Sequence, residues 1–490
     1  MIDQLKFVQL EMMVLVLGLV VLIADLVMAP SKRRLVGHLS AAALGLIFLF
    51  SLRDSYVGLC NESTEVFFNS RYKIDGLAIF FKRFFLLSAI FVLIFAVDFI
   101  DRIRSGFSEY YAFIIFALAG MMFAASANDF SMLFVAIELI TVTFYILVSY
   151  QRHRLQSLEA GVKYLILGAV SSAFMIYGIA LIFGEAGSLK FDDLHAKQSE
   201  LLGSKVFLFG MLFLFAGLAF KISAFPFQVW APDVYQGAPT PTTAFLALGS
   251  KAAGFVLLIR LFVMTMPDLT HEWTALLIFI SAATILYGNL CALPQRNLKR
   301  LLAYSGIANA GYLLMGIVAQ SEAGTSAILY YLAGYLFALI TVFLIINLIT
   351  KEGEGEDISC LENLNRRSPF LACAMTLAAI SLAGIPPLAG FFGKFLLIKS
   401  VATEAFGNIG YFALLGVAVF GVVVSIYYYF GIVRSIFWSC QIEDTTTVFV
   451  GLPIRFALVC CFVGLLYLGL LPNKPMKWFE SAAVVVSKSK

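Results

Sequence analysis

The stretch FLFAGLAFKISAFPFQVWAPD, residues 213–233, places a lysine inside an apolar segment that is otherwise compatible with lipid. This residue is Lys221, and Pro226 follows it five residues later. A charged side chain near the centre of a bilayer costs at least about 2.5 to 3.5 kcal/mol, so it indicates a functional site. Proline interrupts a helix because it lacks a backbone donor and frees the carbonyl group four residues earlier. The stretch therefore predicts a broken transmembrane helix with a functional charge beside the break.

The composition of the whole chain indicates a membrane protein. Its 490 residues are 61% hydrophobic and 13% charged, whereas soluble domains contain about 25% charged residues. Apolar stretches long enough to span a bilayer, roughly 17 to 25 residues, occur fourteen times. We therefore predict an all-α polytopic membrane protein with about 14 transmembrane helices. The predicted spans are 9–29, 35–52, 76–98, 109–127, 129–149, 160–183, 206–230, 240–264, 273–293, 299–319, 325–350, 368–399, 406–436 and 453–471.

The distribution of basic residues predicts the orientation of these spans. Lys and Arg are concentrated in the loops that follow odd-numbered spans, with 14 there against 6 after even-numbered spans. Because loops rich in Lys and Arg stay on the cytoplasmic or matrix side, both termini are predicted on the opposite side. The net charge is only +4 and the basic residues form short clusters. The lipid bilayer is thus an expected partner, and nucleic acid is not.

A second proline pair suggests an internal repeat. The stretch SLAGIPPLAGFFGKF, residues 381–395, contains Pro386 and Pro387. When the two stretches are aligned with Pro226 opposite Pro386, spans 4 to 8 and spans 9 to 13 each contain a broken helix at the equivalent position. Two repeats of five spans are inverted because five is odd, and paired broken helices in inverted repeats point to a transport site. The predicted parts are 1–108, an N-terminal three-helix segment; 109–265 and 266–437, the two repeats; and 438–490, the last span and tail.

Four ionisable residues lie deep within the predicted spans, namely Glu138, Lys221, Lys251 and Lys394. Removing an ammonium group from water destabilises its charged form, which makes the proton easier to exchange. A carboxylate 4 Å away restores about 4 kcal/mol at an effective dielectric near 20. We therefore hypothesise that Glu138 and Lys221 form a proton-binding switch. The break at Pro226 predicts a hydrated path beside Lys221, because freed backbone groups in a membrane must face protein or water.

Other candidate residues receive structural interpretations. Charged residues near span ends are expected to extend towards water; these are Asp25, Lys82, Arg83, Asp98, Lys163, Arg260, Lys399 and Arg455. The seven cysteines contain no CxxC pair and no neighbouring histidine, so no metal or Fe–S site is expected; they are Cys60, Cys291, Cys360, Cys373, Cys440, Cys460 and Cys461. Neither a dinucleotide-binding glycine motif nor a phosphate-binding loop occurs, so nucleotide binding is not expected.

Four longer motifs carry a resemblance to a known family. They are KYLILGAVSSA from Lys163, FKISAFPFQVWAPDVYQGAPTPTTAFLALGSKAAG from Phe220, KRLLAYSGIANAGYLLMG from Lys299 and LAGIPPLAGFFGKF from Leu382. The chain resembles the antiporter-like membrane subunits of NADH:quinone oxidoreductase, respiratory complex I, over essentially its whole length. Within this family it is most similar to the subunit N branch, called chain 2 in mitochondria. The fourteen spans, the lack of a long amphipathic C-terminal arm, and a lysine at 394, where subunit M is expected to have glutamate, favour that branch.

The resemblance implies roles for particular residues. Glu138 and Lys221 match the acid and lysine of the input half, Lys251 the connecting lysine and Lys394 the lysine of the output half. The supporting residues are Lys163, Pro226, Tyr304, Asn309 and Pro386. The chain departs from the family at SGIANAGY, residues 305–312, where relatives often have histidine at the position of Asn309. Asparagine does not titrate, so water or Tyr304 must carry any proton step there, or the step is absent.

The same resemblance implies a function. The chain is expected to be a proton-translocating subunit of an oxidoreductase and to hold no redox centre, with NAD, FMN, Fe–S clusters and quinone on partner subunits. Its expected partners are other membrane subunits and, through them, the peripheral NADH-oxidising arm. The expected location is the bacterial inner membrane rather than the mitochondrial inner membrane. The alternatives are a subunit of an Mrp-type Na⁺/H⁺ antiporter without redox chemistry and a purely structural membrane subunit; co-purified flavin and Fe–S subunits would exclude the antiporter.

Overall fold

A computed structural model describes residues 5–27, 33–53, 65–103, 106–350, 356–405, 408–438 and 447–483. These residues are mainly helical, with one two-stranded antiparallel hairpin formed by β1 (Glu65–Phe67) and β2 (Tyr72–Ile74). Thirteen of the described helical segments are long and apolar enough to cross a bilayer. The predicted all-α polytopic class is confirmed, and the protein is a multi-pass membrane protein.

The chain divides into two compact units. The first comprises Met1–Ser223, Gly237–Thr274 and Ser481–Lys490, and the second comprises Ala224–Gln236 and Ala275–Glu480. The helices of the first unit are α1 (Gln9–Val27), α2 (Arg33–Ser51), α3 (Gly76–Phe99), α4 (Phe107–Ala125), α5 (Phe130–Val148), α6 (Leu155–Ala186), α7 (Phe191–Ala196), α8 (Gln198–Leu201), α9 (Lys205–Ile222), α10 (Trp230–Gly237, most of which belongs to the second unit), α11 (Thr240–Phe245), α12 (Lys251–Leu258) and α13 (Pro267–Glu272).

The second unit contains the remaining long helices. They are α14 (Thr274–Ala292), α15 (Leu298–Val318), α16 (Glu322–Ile349), α17 (Leu364–Arg367), α18 (Pro369–Ala383), α19 (Ala389–Glu404), α20 (Ile409–Trp438), α21 (Leu452–Leu470) and α22 (Asn473–Ala483). The four-part division and the inverted orientation of the repeats stay predictions.

Small residues allow helices of the first unit to approach closely. A Cβ atom on Gly178 of α6 would lie 2.6 Å from the carbonyl oxygen of Gly210 of α9, and one on Gly210 would lie 3.0 Å from that of Gly178. In membranes, helix association depends on such close packing because lipid chains are as apolar as the side chains. The two glycines therefore fix α9, which carries Lys221, against α6.

Both predicted helix breaks are present. Helix α9 ends at Ile222, and Ser223 follows in the left-handed conformation with φ 61°. Helix α18 ends at Ala383, and Gly384 follows with φ +85°. A left-handed residue commonly ends a helix, because its backbone turns the chain out of the helical path. The twelfth predicted span is therefore the two helices α18 and α19, while the other predicted spans retain a helix long enough to cross.

The predicted equivalence of the prolines is wrong by one residue. Pro226 follows the left-handed Ser223 by three residues, and Pro387 rather than Pro386 follows the left-handed Gly384 by three. The peptide bonds before Pro226 and before Pro387 are both cis. The sequence repeat was too weak to set this register, because only proline itself is shared at the two positions.

The eighth predicted span is helical throughout but changes its helical type. The α-helical segments α11 and α12 are separated by a π-helical turn at Leu246–Ser250, and a second π-helical segment, Ile259–Thr265, follows α12. Such π-bulges are rare and occur frequently at functional sites. Lys251 lies immediately after the first of them.

Candidate functional site

Lys221 is buried in the last turn of α9, with only 4% of its surface exposed. Its ammonium group donates a hydrogen bond to the Oγ1 atom of Thr141 on α5. The last carbonyl groups of a helix lack intrahelical partners and carry partial negative charge. The end of α9 at Ile222 thus provides a favourable environment for a cation.

Glu138 lies one turn before Thr141 on α5, so the two side chains project from the same face of that helix. A carboxylate oxygen of Glu138 accepts a hydrogen bond of 2.5 Å from the hydroxyl group of Ser172 on α6. Glu138 thus lies on the same helix face as Thr141, the acceptor of the Lys221 ammonium group. The hydrogen bond from Lys221 goes to Thr141, however, so the structure brings the predicted pair together through a hydroxyl group and not as a direct contact.

Lys251 is also buried, with 4% exposure, and begins α12. One turn later, Gly254 lies against α9: a Cβ atom at this position would lie 2.6 Å from a methyl carbon of Ile222 and 3.6 Å from the Cβ of Lys221. The missing side chain at Gly254 thus lets the helix that carries Lys251 approach the helix that carries Lys221. Lys221 and Lys251 therefore lie on directly packed segments of one unit.

Lys394 lies in the second unit on α19, the helix after the break, and is 3% exposed. Its ammonium group donates to the carbonyl oxygens of Leu382 and Ala383, at 2.9 and 3.3 Å, which end α18. It also lies 5.1 Å from the ring centroid of Tyr312, a distance at which an aromatic face attracts a cation. The broken helix therefore supplies the polar partners of this lysine.

A buried cluster of polar side chains surrounds this part of the second unit. Asn309 on α15 is 4% exposed, and its side-chain nitrogen has no hydrogen-bond partner among the described residues. Ser305, one turn before Asn309, shares a hydrogen bond with the hydroxyl group of Tyr429. Tyr428 donates to Asn289 at 3.2 Å. Asn309 therefore places a buried hydrogen-bond donor one turn from this cluster, although it does not titrate.

The other predicted supporting residues have different surroundings. Tyr304 is buried and its ring centroid is 6.3 Å from that of Tyr287. Lys163 is partly exposed and forms a 2.8 Å ion pair with Glu159, one turn earlier on α6. Pro226 and Pro386 lie in the two breaks.

Two structural interpretations from the sequence are wrong, beginning with Lys82. It was predicted to reach towards water but is completely buried and forms a 2.8 Å ion pair with Glu11, which is also completely buried. The hydroxyl group of Tyr72 accepts a 2.7 Å hydrogen bond from Lys82 and donates to Glu11 at 2.8 Å. The hydroxyl group of Tyr72 thus joins the ion pair. Glu11 neutralises the charge of Lys82, so the ammonium group does not need to reach water.

The second wrong interpretation concerns Arg260, which is 2% exposed and does not extend to water. Its guanidinium group forms a two-pronged ion pair with Asp75, at 2.9 and 3.0 Å, and donates to the carbonyl oxygen of Ala125 at 2.8 Å. Burial raises the pKa of Asp75, but the charge and hydrogen bonds of Arg260, the charge of Lys73 and the backbone N–H of Ala78 together outweigh burial, so the pKa lies below its ordinary value. Burial also lowers the pKa of the neighbouring Lys73.

Potential metal ligands are scattered. Among the residues that the structure describes, no three His, Cys, Asp or Glu side chains are grouped to hold a metal ion. Cys60 and Cys440 lie outside the described residues. The described chemistry is therefore that of buried lysines, one carboxylate, hydroxyl groups and broken helices, which suits movement of protons or cations across a membrane.

The fold and the site together define a class: polytopic helical membrane proteins with buried charges beside paired broken helices. The sequence profile described as "NADH:quinone oxidoreductase/Mrp antiporter, TM" matches residues 127–423. The protein named NADH-quinone oxidoreductase subunit N from Desulforamulus reducens is 37% identical over 463 residues, 94% of each chain. The chain therefore belongs to the NADH:quinone oxidoreductase/Mrp antiporter family of membrane subunits, and it is similar to the subunit N branch.

Solved structures show the same relationship. A chain of respiratory complex I from Thermus thermophilus is 31% identical, with a TM-score of 0.78, covering 96% of this chain and 98% of that one. A chain of the Mrp complex from Dietzia sp. has a TM-score of 0.86 at 20% identity, covering 98% of this chain and 97% of that one. At that identity the Mrp likeness shows the fold alone.

Proposed function

We propose that this chain is the proton-translocating membrane subunit of an NADH:quinone oxidoreductase. The observation that carries the proposal is the buried Lys221, hydrogen-bonded to Thr141 one turn from Glu138, at the end of a broken helix. It supports proton transfer because a buried ammonium group in this setting exchanges its proton at a modest free-energy cost. The similarity to subunit N relatives and to a chain of respiratory complex I supports the assignment of this site to an NADH:quinone oxidoreductase.

The arrangement supports a switch in the affinity of Lys221 for its proton. A nearby carboxylate favours the charged form of an ammonium group, and Ser172 holds Glu138 one turn from the acceptor of Lys221. The two groups are not in direct contact, and doubling a separation of about 5 Å would halve an attraction of about 3 kcal/mol at an effective dielectric of 20. A loss of about 1.5 kcal/mol changes proton affinity by about tenfold. Movement of α5 relative to α9 would thus convert proton binding into release.

The released proton passes next to Lys251 and leaves past Lys394. The packing of α12 on α9 at Gly254 supports the first step, because it brings the two lysine-bearing segments together. The buried hydroxyl and amide groups near Asn309 supply hydrogen-bonding positions for water in the second unit. Asn309 acts there by orienting water and not by accepting a proton.

The free energy comes from electron transfer on partner subunits. NADH oxidation in the peripheral arm, with NAD, FMN and Fe–S clusters, reduces a quinone, and contacts with neighbouring membrane subunits displace Glu138. This chain takes part in the enzyme as a subunit and carries no redox step itself. The matching bacterial relatives support location in the bacterial inner membrane.

The proposal is tested by NADH-driven proton uptake into vesicles that contain the assembled complex. Lys221→Ala should lower the number of protons taken up per NADH oxidised. Lys205→Ala is the matched control, because Lys205 begins the same helix and is exposed. Undiminished uptake by an assembled Lys221→Ala complex would instead favour a purely structural subunit.

An Mrp-type antiporter remains the second candidate, because the description of the matching family profile also names Mrp antiporters. The experiment that separates the two is affinity purification in mild detergent. A redox-coupled subunit should co-purify with flavin and Fe–S subunits, whereas an antiporter subunit should co-purify with neither and should exchange Na⁺ for H⁺ without NADH.

A further inference from the structure

A large groove lies on the outer surface of the second unit along α20. Its volume is about 1010 Å³, and its walls include Val423, Tyr427, Phe430, Gly431 and Arg434 of that helix. Leu293 and Gln295, just after α14, line the other side. We call this feature the α20 groove. None of the buried lysines lines it, and of the polar cluster near Asn309 only Tyr428 does.

The length of the groove matches one leaflet of a bilayer. Val423 lies at the middle of α20 and Trp438, also in the groove wall, lies at its end. A helix rises 1.5 Å per residue, so these fifteen steps extend about 22 Å. Half of a bilayer, headgroups included, is about 20 to 22 Å thick. With the middle of α20 at the bilayer midplane, the groove would extend from the midplane to one membrane surface.

Arg434 lies at the level where a lipid headgroup begins. It is eleven residues beyond Val423, or about 16 Å along the helix, and half of the hydrocarbon core is about 15 Å. Arg434 is exposed, and among the described ion pairs none includes it. Below it the wall is apolar and open, with Tyr427 73% and Val423 62% exposed. Arg434 thus provides a basic group above a mainly apolar channel.

The side of the membrane also favours an anionic ligand. Arg434 belongs to the basic set that follows odd-numbered spans and predicts the cytoplasmic side. Anionic lipids give the cytoplasmic leaflet a negative surface potential, and basic pockets between transmembrane helices bind their headgroups. Aromatic residues such as Trp438 are typical of the interface at this depth.

From these observations we infer that the α20 groove is a binding site for one anionic phospholipid of the inner leaflet. Its acyl chains lie on Val423, Tyr427 and Phe430, and its phosphate pairs with Arg434. Gly431 keeps the channel open, because a Cβ atom there would have no protein atom within 4 Å. A bulky side chain at this position would fill the lipid space without striking the protein.

The test compares phospholipid retained by the assembled complex after purification in mild detergent, measured by mass spectrometry per mole of complex. The membranes contain phosphatidylglycerol and phosphatidylethanolamine. Arg434→Gln and Gly431→Phe should each lose about one phosphatidylglycerol. Two controls should keep it: Arg455→Gln, an exposed arginine of α21 outside the groove, and Gly416→Phe, an exposed glycine of α20 that also has no atom within 4 Å of a Cβ.

Unchanged phosphatidylglycerol retention in both groove variants would overturn the inference. So would equal loss in the groove variants and their controls, or loss of the neutral phospholipid alone. Cryo-electron microscopy of the complex in nanodiscs of the same lipids gives an independent result. Two acyl chains with a phosphate beside Arg434 are expected, and a helix of a neighbouring subunit in the groove contradicts the assignment.

Discussion

The ammonium group of Lys394 lies 2.9 Å from the carbonyl oxygen of Leu382, one residue before the end of α18. The break in this span thus leaves carbonyl groups that a buried lysine satisfies, and the negative end of the helix dipole favours the same cation. Lys221 occupies the last turn of α9, next to the other break. Each broken helix therefore provides a negative helix end beside a buried lysine.

Replacement of Lys394 by alanine should reduce proton uptake per NADH oxidised, because the output half then lacks its cationic proton site. Lys399→Ala is the matched control: Lys399 is on the same helix but is exposed. Both are measured in vesicles, with subunit content checked by gel electrophoresis. Equal uptake by the two variants would remove Lys394 from the proton path.

Thr141→Val should slow proton uptake by about tenfold or more. The substitution removes the acceptor of the Lys221 ammonium group, and a hydrogen bond to a charged group contributes about 1.5 to 3 kcal/mol, which corresponds to at least a tenfold change in rate. Thr143→Val is the control, because Thr143 is buried on the same helix and bonds only to carbonyl groups of its own helix in the described contacts. A rate for Thr141→Val that matches Thr143→Val would refute the role of this hydroxyl group.

Gly254→Leu should separate the segments that carry Lys221 and Lys251. A Cβ atom alone would lie 2.6 Å from Ile222, and overpacking typically costs about 1 to 3 kcal/mol. We expect a lower thermal unfolding temperature of the subunit and reduced proton uptake. Gly184→Leu should change neither, because a Cβ there meets no atom within 4 Å. Wild-type behaviour of Gly254→Leu would show that the close approach is unnecessary.

Asp75→Asn should destabilise the first unit by about 3 to 5 kcal/mol, because it leaves the buried charge of Arg260 without its ionic partner. Asp101→Asn, which removes an exposed partner of Arg34, should cost less than about 1 kcal/mol. Thermal unfolding in detergent measures both changes. A similar, small shift for the two variants would mean that the buried pair contributes little.

The same ion pair predicts an acid dependence of stability. The folded-state pKa of Asp75 lies below its ordinary value of 3.8, so the stabilisation is complete above that value and is lost as the pH falls through the folded-state pKa. Wild-type stability should therefore decrease below about pH 4 more steeply than that of Asp75→Asn. Parallel pH profiles of the two proteins would contradict this linkage.

Much of the fold follows from patterns that lie close together along the chain. Apolar length predicted the spans, and proline predicted both breaks. Because burying a charge costs free energy, the charged residues deep within the spans were predicted to be functional. They are Glu138, Lys221, Lys251 and Lys394, and the described structure buries them wholly or partly. These signals are local, because each depends on a residue and its immediate neighbours within one span.

The pairings that the sequence did not predict join distant parts of the chain. Lys82 was expected to reach water because its partner Glu11 lies in another span, and Arg260 is separated from Asp75 by 185 residues. The role of Thr141 was missed because a threonine in a membrane helix ordinarily bonds to its own backbone. Such contacts depend on tertiary packing, which one sequence does not specify.

The central claim is that Glu138 controls the proton on Lys221. The most direct measurement is NADH-driven proton uptake by vesicles that contain the Glu138→Gln complex, with NADH oxidation and subunit content measured on the same preparation. Glu185→Gln, an exposed carboxylate near the end of the neighbouring helix α6, is the control. We predict fewer protons per NADH for Glu138→Gln and the wild-type ratio for Glu185→Gln. A wild-type ratio in a fully assembled Glu138→Gln complex would contradict the account.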